Sequence, residues 1–202
     1  MGTDRPTVTI RDLRDGEMAA AIALLARGMR DNPGHVAVFG PDPARRERSL
    51  RRMFTALFTA TRQERIGALD GDTLVGFMAI TAPGACRHTP WQSARMVAMT
   101  AGLGPRTLAR VATWQRIWHR HDPRAAHSHF GPLAVDAHLH GHGIGSQLLR
   151  NYTRRLDEAR LLGYLETDKP ENVRLYERHG FVVTGEAMVL GRPNWFLRRP
   201  MS

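Results

Sequence analysis

The stretch "HLHGHGIGSQLL" (residues 138–149) ends a strand-like run, "HSHFGPLAVDAHL" (127–139), and opens a helix-like run from Ile144. Strand, glycine turn and helix in immediate succession leave few options for the chain, because glycine permits the sharp reversal and lets a ligand approach the main chain. Two chemistries suit these residues: a metal held by imidazoles, or an anion held by amides. His138, His140 and His142 have the i, i+2 spacing that lines one face of a strand and would suit zinc or copper. Gly141 and Gly143 interrupt that strand where ligands would have to be held, and no Asp, Glu or Cys joins them in the loop, so no metal is expected.

An anion asks less of the side chains. A helix N-terminus carries unpaired N–H groups and a partial positive charge, and glycines before it let amides close on phosphate oxygens. Gly141, His142, Gly143, Ile144, Gly145 and Ser146 supply such a run, a candidate pyrophosphate cradle. The loop lacks the Gly-Lys-Ser/Thr ending of a nucleotide P-loop. It also lies late in the chain, where the acidic ribose-binding residue of a dinucleotide fold is not expected to follow.

The chain of 202 residues suffices for one domain with a sizeable core, expected to span 1–202. Its 42% hydrophobic and 24% charged residues fit a folded globular protein. The net charge of +10 is almost all arginine, with Lys169 the single lysine. Such a charge suits a polyphosphate ligand, nucleic acid or an anionic membrane, but the arginines are scattered and do not alternate with aromatics, so a nucleic acid is the least favoured partner. Cys86 stands alone, which fits a reducing cytoplasm. The first residues show no apolar leader, Pro6 spoils the myristoylation pattern, and no apolar run is long enough for a bilayer, so a soluble cytoplasmic protein without membrane association is expected.

Periodicity supplies the remaining elements. Residues 7–13 read as a strand and 15–31 as a helix stopped by Asn32-Pro33-Gly34. Asp42 and Pro43 cap an Arg-rich helix to about Ala60. Residues 65–81 form a hairpin around Asp70-Gly71-Asp72. Residues 83–123 read as an irregular helical insert, and 144–163 as a helix with Leu148, Leu149, Tyr152, Leu156 and Ala159 along one face. Strands at 164–168 and 181–190 flank a short helix at 171–180, and 195–199 could close the sheet. Six or seven strands with helices interspersed make the fold α/β (α+β) with a mixed sheet.

The segment resembles the GNAT superfamily of acyl-CoA-dependent N-acetyltransferases. The family's loop pattern falls on His140-Gly141-His142-Gly143-Ile144-Gly145, with His140 where Gln or Arg is usual. "GPLAVDAHLH" resembles the family's fourth strand, and "LETDKPENVRLYERHGFVVTGE" its C-terminal half, closest to antibiotic-type members such as puromycin N-acetyltransferase. The resemblance covers about residues 127–190. It implies a mostly antiparallel mixed sheet with helices on both faces, acetyl-CoA as cosubstrate, and a small-molecule or peptide amine as acceptor. A homodimer is compatible with it.

It further implies roles for individual residues. Leu133, Ala134 and Val135 would pair with the pantetheine arm, and an amide near Val135 would polarise the thioester carbonyl. The 141–146 loop would hold the pyrophosphate, where His142 either adds its side chain or faces solvent. Tyr176 matches the acid that protonates the departing thiolate, its alternative being a core tyrosine. Glu166 either takes the amine proton, directly or through water, or pairs with an arginine. Asn172 either bonds the pantetheine arm or caps its helix. His88, Trp91, Trp114, Trp118 and His119 of the insert either shape an acceptor pocket or belong to a core. The competing functions are a catalytically silent CoA-binding regulatory module and a basic nucleic-acid-binding protein.

Overall fold

A computed structural model describes residues 7–201. Residues 1–6, on which the reading of the N-terminus rests, lie outside them. Among the described residues, seven strands form one sheet in the order β1-β2-β3-β4-β5-β7-β6. They are β1 (Thr9–Asp12), β2 (Glu64–Asp70), β3 (Thr73–Thr81), β4 (His127–Val135), β5 (Leu162–Thr167), β6 (Val182–Val189) and β7 (Arg192–Arg199). The helices are α1 (Met18–Gly28), α2 (Pro33–Phe39), α3 (Pro43–Ala60), α4 (Pro90–Thr100), α5 (Pro105–His121), α6 (Ile144–Ala159) and α7 (Pro170–Glu177).

β3 explains why helices cover both faces. Alternate side chains of a strand point to opposite sides, and this strand is buried on both. Met78 and Ile80 join a core with Leu148, Leu149, Tyr152 and Leu156 of α6. Phe77 and Ala79 join the other core, with Leu24 and Leu25 of α1 and Leu50 and Phe54 of α3. Ala159, expected on the buried stripe of α6, is exposed, because the helix turns out through Arg160 in a left-handed conformation (φ 50°).

All neighbouring strands run antiparallel except β4 and β5. These two run parallel and pair only at His127↔Leu162, Ser128↔Gly163 and His129↔Tyr164. Beyond that point β4 bends: its pairing with β3 shifts between Ile80↔Phe130 and Met78↔Leu133, with Gly131 at φ 136°. β5 continues beside β7 through Thr167↔Trp195. The strands therefore part, leaving a wedge in the middle of the sheet. Tyr152 fastens α6 beside it, donating from its hydroxyl to Ser128 O at 2.7 Å and stacking on Phe130.

Three elements differ from the sequence reading. α1 does stop before Asn32-Pro33-Gly34, but the same residues also start a helix the sequence reading lacked: Pro33 takes the first position of α2, where a missing N–H costs nothing, while Asn32 is extended. The last strand begins at Arg192 and lies inside β6, so the outer edge belongs to β6. The three loop histidines do not share a strand face, since Ala137–Leu139 is a single 3-10 turn. The 83–123 insert is α4 and α5, and α4 has the capping box Thr89/Gln92.

Leu148 is fully buried where α6 meets the sheet. Leu148→Ala is expected to cost about 2–5 kcal/mol, read as a lower urea midpoint at unchanged slope.

Candidate active site

The wedge presents main-chain groups. Asp136 N donates to Val75 O at 2.8 Å, so that amide faces β3. Alternation then turns the Ala134 amide toward β3 and those of Leu133 and Val135 toward the wedge. Leu133 and Val135 thus offer a strand edge to a ligand, whereas Ala134 is packed into the core by Cβ. His140 reaches the same edge, its Nε2 donating to Val135 O at 3.0 Å.

The glycine loop lies at the wide end. Gly141 and Gly143 both have φ 83°, in the left-handed region, with open space where a Cβ would stand. Gly143 ends the turn and Ile144 begins α6, so the N–H groups of Ile144, Gly145 and Ser146 have no intrahelical acceptor. The expected run of donors is shorter than the sequence suggests. His142 N already donates to Leu139 O at 3.3 Å, because the preceding 3-10 turn continues into the loop. The His142 ring folds back on its own loop, Nδ1 lying 3.2 Å from His140 O.

At the narrow end the wedge opens into a cavity of about 310 Å³. Its sheet wall is Phe130 to Leu133 of β4, Glu166 and Thr167 of β5, and Asp168 just after β5. Met53, Phe54 and Leu57 of α3 and Val111, Trp114 and Trp118 of α5 make the apolar walls. Of the insert residues singled out, His88, Trp114, Trp118 and His119 line this cavity. Trp91 does not, and is 77% exposed on α4.

Polar groups converge on that apolar space. The side chain of Glu166 is only 5% exposed and its Oε2 accepts from His129 Nε2 at 2.8 Å; no arginine pairs with it among the described ion pairs. Burial alone would lower His129, but the Glu166 carboxylate and Cys86 outweigh it and push the imidazole up to about 10. Tyr176 lines the cavity from α7, edge-on to Phe130 and Phe181, and burial followed by the Asp168 and Glu166 charges pushes its phenol up. A phenol so placed keeps its proton throughout the neutral range. Asn172 does not cap α7, whose N-cap is Lys169; it lines the cavity and donates to Thr167 Oγ1 at 3.3 Å.

The sequence reading missed His129, Asp168 and Cys86. His129 had a signal in "HSHF", an i, i+2 pair on a strand destined to lie beside Glu166. Asp168 Oδ2 accepts from Gly34 N at 2.6 Å, so a carboxylate from the end of β5 completes the start of α2. Cys86 lies 3.4 Å from His127 Nε2. Burial raises its thiol, yet hydrogen bonds to His127 and His129 outweigh that and bring it to about 7.

Known proteins share this fold. A family model described as an acetyltransferase (GNAT) domain matches residues 107–183. A structure of histone acetyltransferase HPA2 and related acetyltransferase from Corynebacterium glutamicum matches at TM-score 0.73 and 19% identity, over 96% of this chain and 97% of that one. An N-acetyltransferase from Staphylococcus aureus matches at 0.57 and 14%, over 97% and 99%. The NatC complex bound to Gag peptide and CoA matches at 0.54 and 15%, over 96% and 99%. Residues 107–183 thus match an acetyltransferase (GNAT) domain, and the fold of the chain is the fold of those structures. No helix among the described residues is long and apolar enough to cross a membrane.

Asp168→Ala leaves the Gly34 amide without its acceptor in a buried place, and is expected to cost about 1–3 kcal/mol in chemical denaturation.

Proposed function

We propose that this protein transfers an acetyl group from acetyl-CoA to the primary amine of a small molecule with an apolar body. The observation that carries the reading is the wedge itself. It has outward amides along one side, a glycine-lined helix start at one end, and a cavity holding Glu166 and Tyr176 at the other.

The residues present suit the coenzyme. Main-chain donors at Ile144, Gly145 and Ser146 match a diphosphate, and the Cβ-free space at Gly141 and Gly143 lets it come close. Leu133 and Val135 offer amides to a pantetheine arm as a strand offers them to a neighbour, and Asn172 lies beside the same path. The coenzyme supplies an activated acetyl thioester. Of the two outward amides, that of Leu133, at the cavity end of the edge beside Glu166 and Tyr176, would donate to the thioester oxygen. Glu166, held through Oε2 by His129, keeps Oε1 for the proton of the incoming amine, taken directly or through water. The Tyr176 hydroxyl retains a proton to give to the departing sulfur. Both substrates held in one cleft turn an encounter into a positioned reaction.

The apolar walls favour an acceptor with an aromatic or aliphatic body over a polycation or an extended peptide. A lone Cys86 and a CoA-dependent reaction suit a reducing cytoplasm.

The test is acetyl-CoA-dependent thiol release across apolar amines, polyamines and peptides, in which apolar amines should give the largest kcat/KM. Coenzyme binding without thiol release from any amine would favour a regulatory module instead. Gly145→Glu should keep the fold, since a Cβ there meets only Val135 at 3.9 Å, yet weaken acetyl-CoA more than about tenfold by filling the cradle with negative charge. Tyr176→Phe and Glu166→Gln should each lower kcat about 10²-fold with little change in acetyl-CoA affinity. Unchanged turnover would remove the residue from the mechanism.

A further inference from the structure

At the base of the helical insert three side chains from distant parts of the sequence bring their electron pairs together. Cys86 lies in the loop after β3, Asp122 closes α5, and His127 opens β4. One atom of each, Sγ, Oδ1 and Nε2, lies within 4.8 Å of the others. Sγ is 3.4 Å and Oδ1 3.1 Å from the same imidazole nitrogen. His127 Nδ1 is 2.9 Å from Ala125 O, which can only accept, so Nδ1 carries a proton. In the neutral ring Nε2 is then a lone pair, facing a carboxylate oxygen and a sulfur that also bring lone pairs. A thiol proton on Sγ, or the protonated His129 that hydrogen-bonds Cys86, serves one of these contacts. A proton on Nε2 can bridge one pair at a time, whereas a metal cation answers all three at once.

The spacing matches such an ion. Donors held tetrahedrally at about 2.0–2.3 Å from zinc stand about 3.3–3.6 Å apart, close to the two separations observed. The imidazole is already oriented through its other nitrogen by a backbone carbonyl, the usual outer support of a metal-bound histidine. His127 is buried and Asp122 half-buried, their side chains 6% and 12% exposed. Cys86 and Asp122 also line the acceptor cavity.

We propose that Cys86, Asp122 and His127 form a binding site for a thiophilic divalent cation, zinc by its donor set, with a fourth position open toward the cavity. The ion joins the two ends of the insert to β4. It thereby fixes α5, which carries Val111, Trp114 and Trp118 into the cavity wall, and the open position is free for water or for a donor atom of the acceptor. This site is separate from the coenzyme cradle and does not depend on the reaction assigned above.

The experiment uses untagged full-length protein, stripped with chelator and titrated with Co²⁺ alone, then with Zn²⁺ alone. Expected are about one equivalent retained through gel filtration, a near-ultraviolet sulfur-to-cobalt charge-transfer band, and a thermal midpoint raised by about 5 °C or more. Cys86→Ser should lose the band. Asp122→Asn should keep it while weakening affinity at least tenfold. Chelator-treated midpoints equal to wild type would show that both variants fold; if either does not, the wild-type stoichiometry and band decide alone. No retained metal and no band in the wild type would overturn the proposal. So would equal retention by both folded variants, which would move binding elsewhere, for instance to His138, His140 and His142.

Discussion

The parting of β4 and β5 after three paired residues is the constraint from which the rest of the site follows. Main-chain groups in the middle of a sheet ordinarily satisfy one another, and leaving a strand edge unpaired there is costly unless something else pairs with it. The bend at Gly131-Pro132 turns β4 away while β7 keeps β5 straight, so the cost falls at one place, on the amides of Leu133 and Val135. The wedge is thus a strand-shaped vacancy with its donors already oriented. Because α6 starts immediately beyond it, the same vacancy ends at a positive helix terminus.

Two packed layers keep that opening from closing. α6 is held on one face by Leu148, Leu149 and Leu156 and by the Tyr152 hydroxyl, and α1 and α3 are held on the other by the alternate residues of β3. The insert then roofs the narrow end, leaving Glu166, His129 and Tyr176 in a place where burial sharpens every charge. The start of α2 is tied to the same region through Asp168 and Gly34, so a cavity wall and the end of β5 are joined across most of the chain.

Local chemistry was legible and distant pairing was not. The hairpin at Asp70-Gly71-Asp72, the cap at Asp42-Pro43 and the strand, glycine turn and helix around residue 143 are written in residues that need each other within a few positions. The start of α2 was missed because Pro33 follows a finished helix and reads as punctuation, while the carboxylate of Asp168 that accepts from Gly34 lies far along the chain. His129 beside Glu166 depends on a parallel pairing with a whole helix between the strands. Cys86, Asp122 and His127 show no ligand spacing at all, since the insert separates the first from the others. Trp91 shows the limit of composition: an aromatic in the right segment lies on the outer face, while Trp114 and Trp118 turn inward.

The wedge as a coenzyme channel is tested most directly by residue-resolved amide hydrogen exchange with and without CoA. Slower exchange at Leu133 and Val135 and at Ile144 to Ser146, with Ala134 unchanged because it already faces β3, is the result expected. Protection confined to other parts of the sheet, or none at saturating CoA, would contradict it.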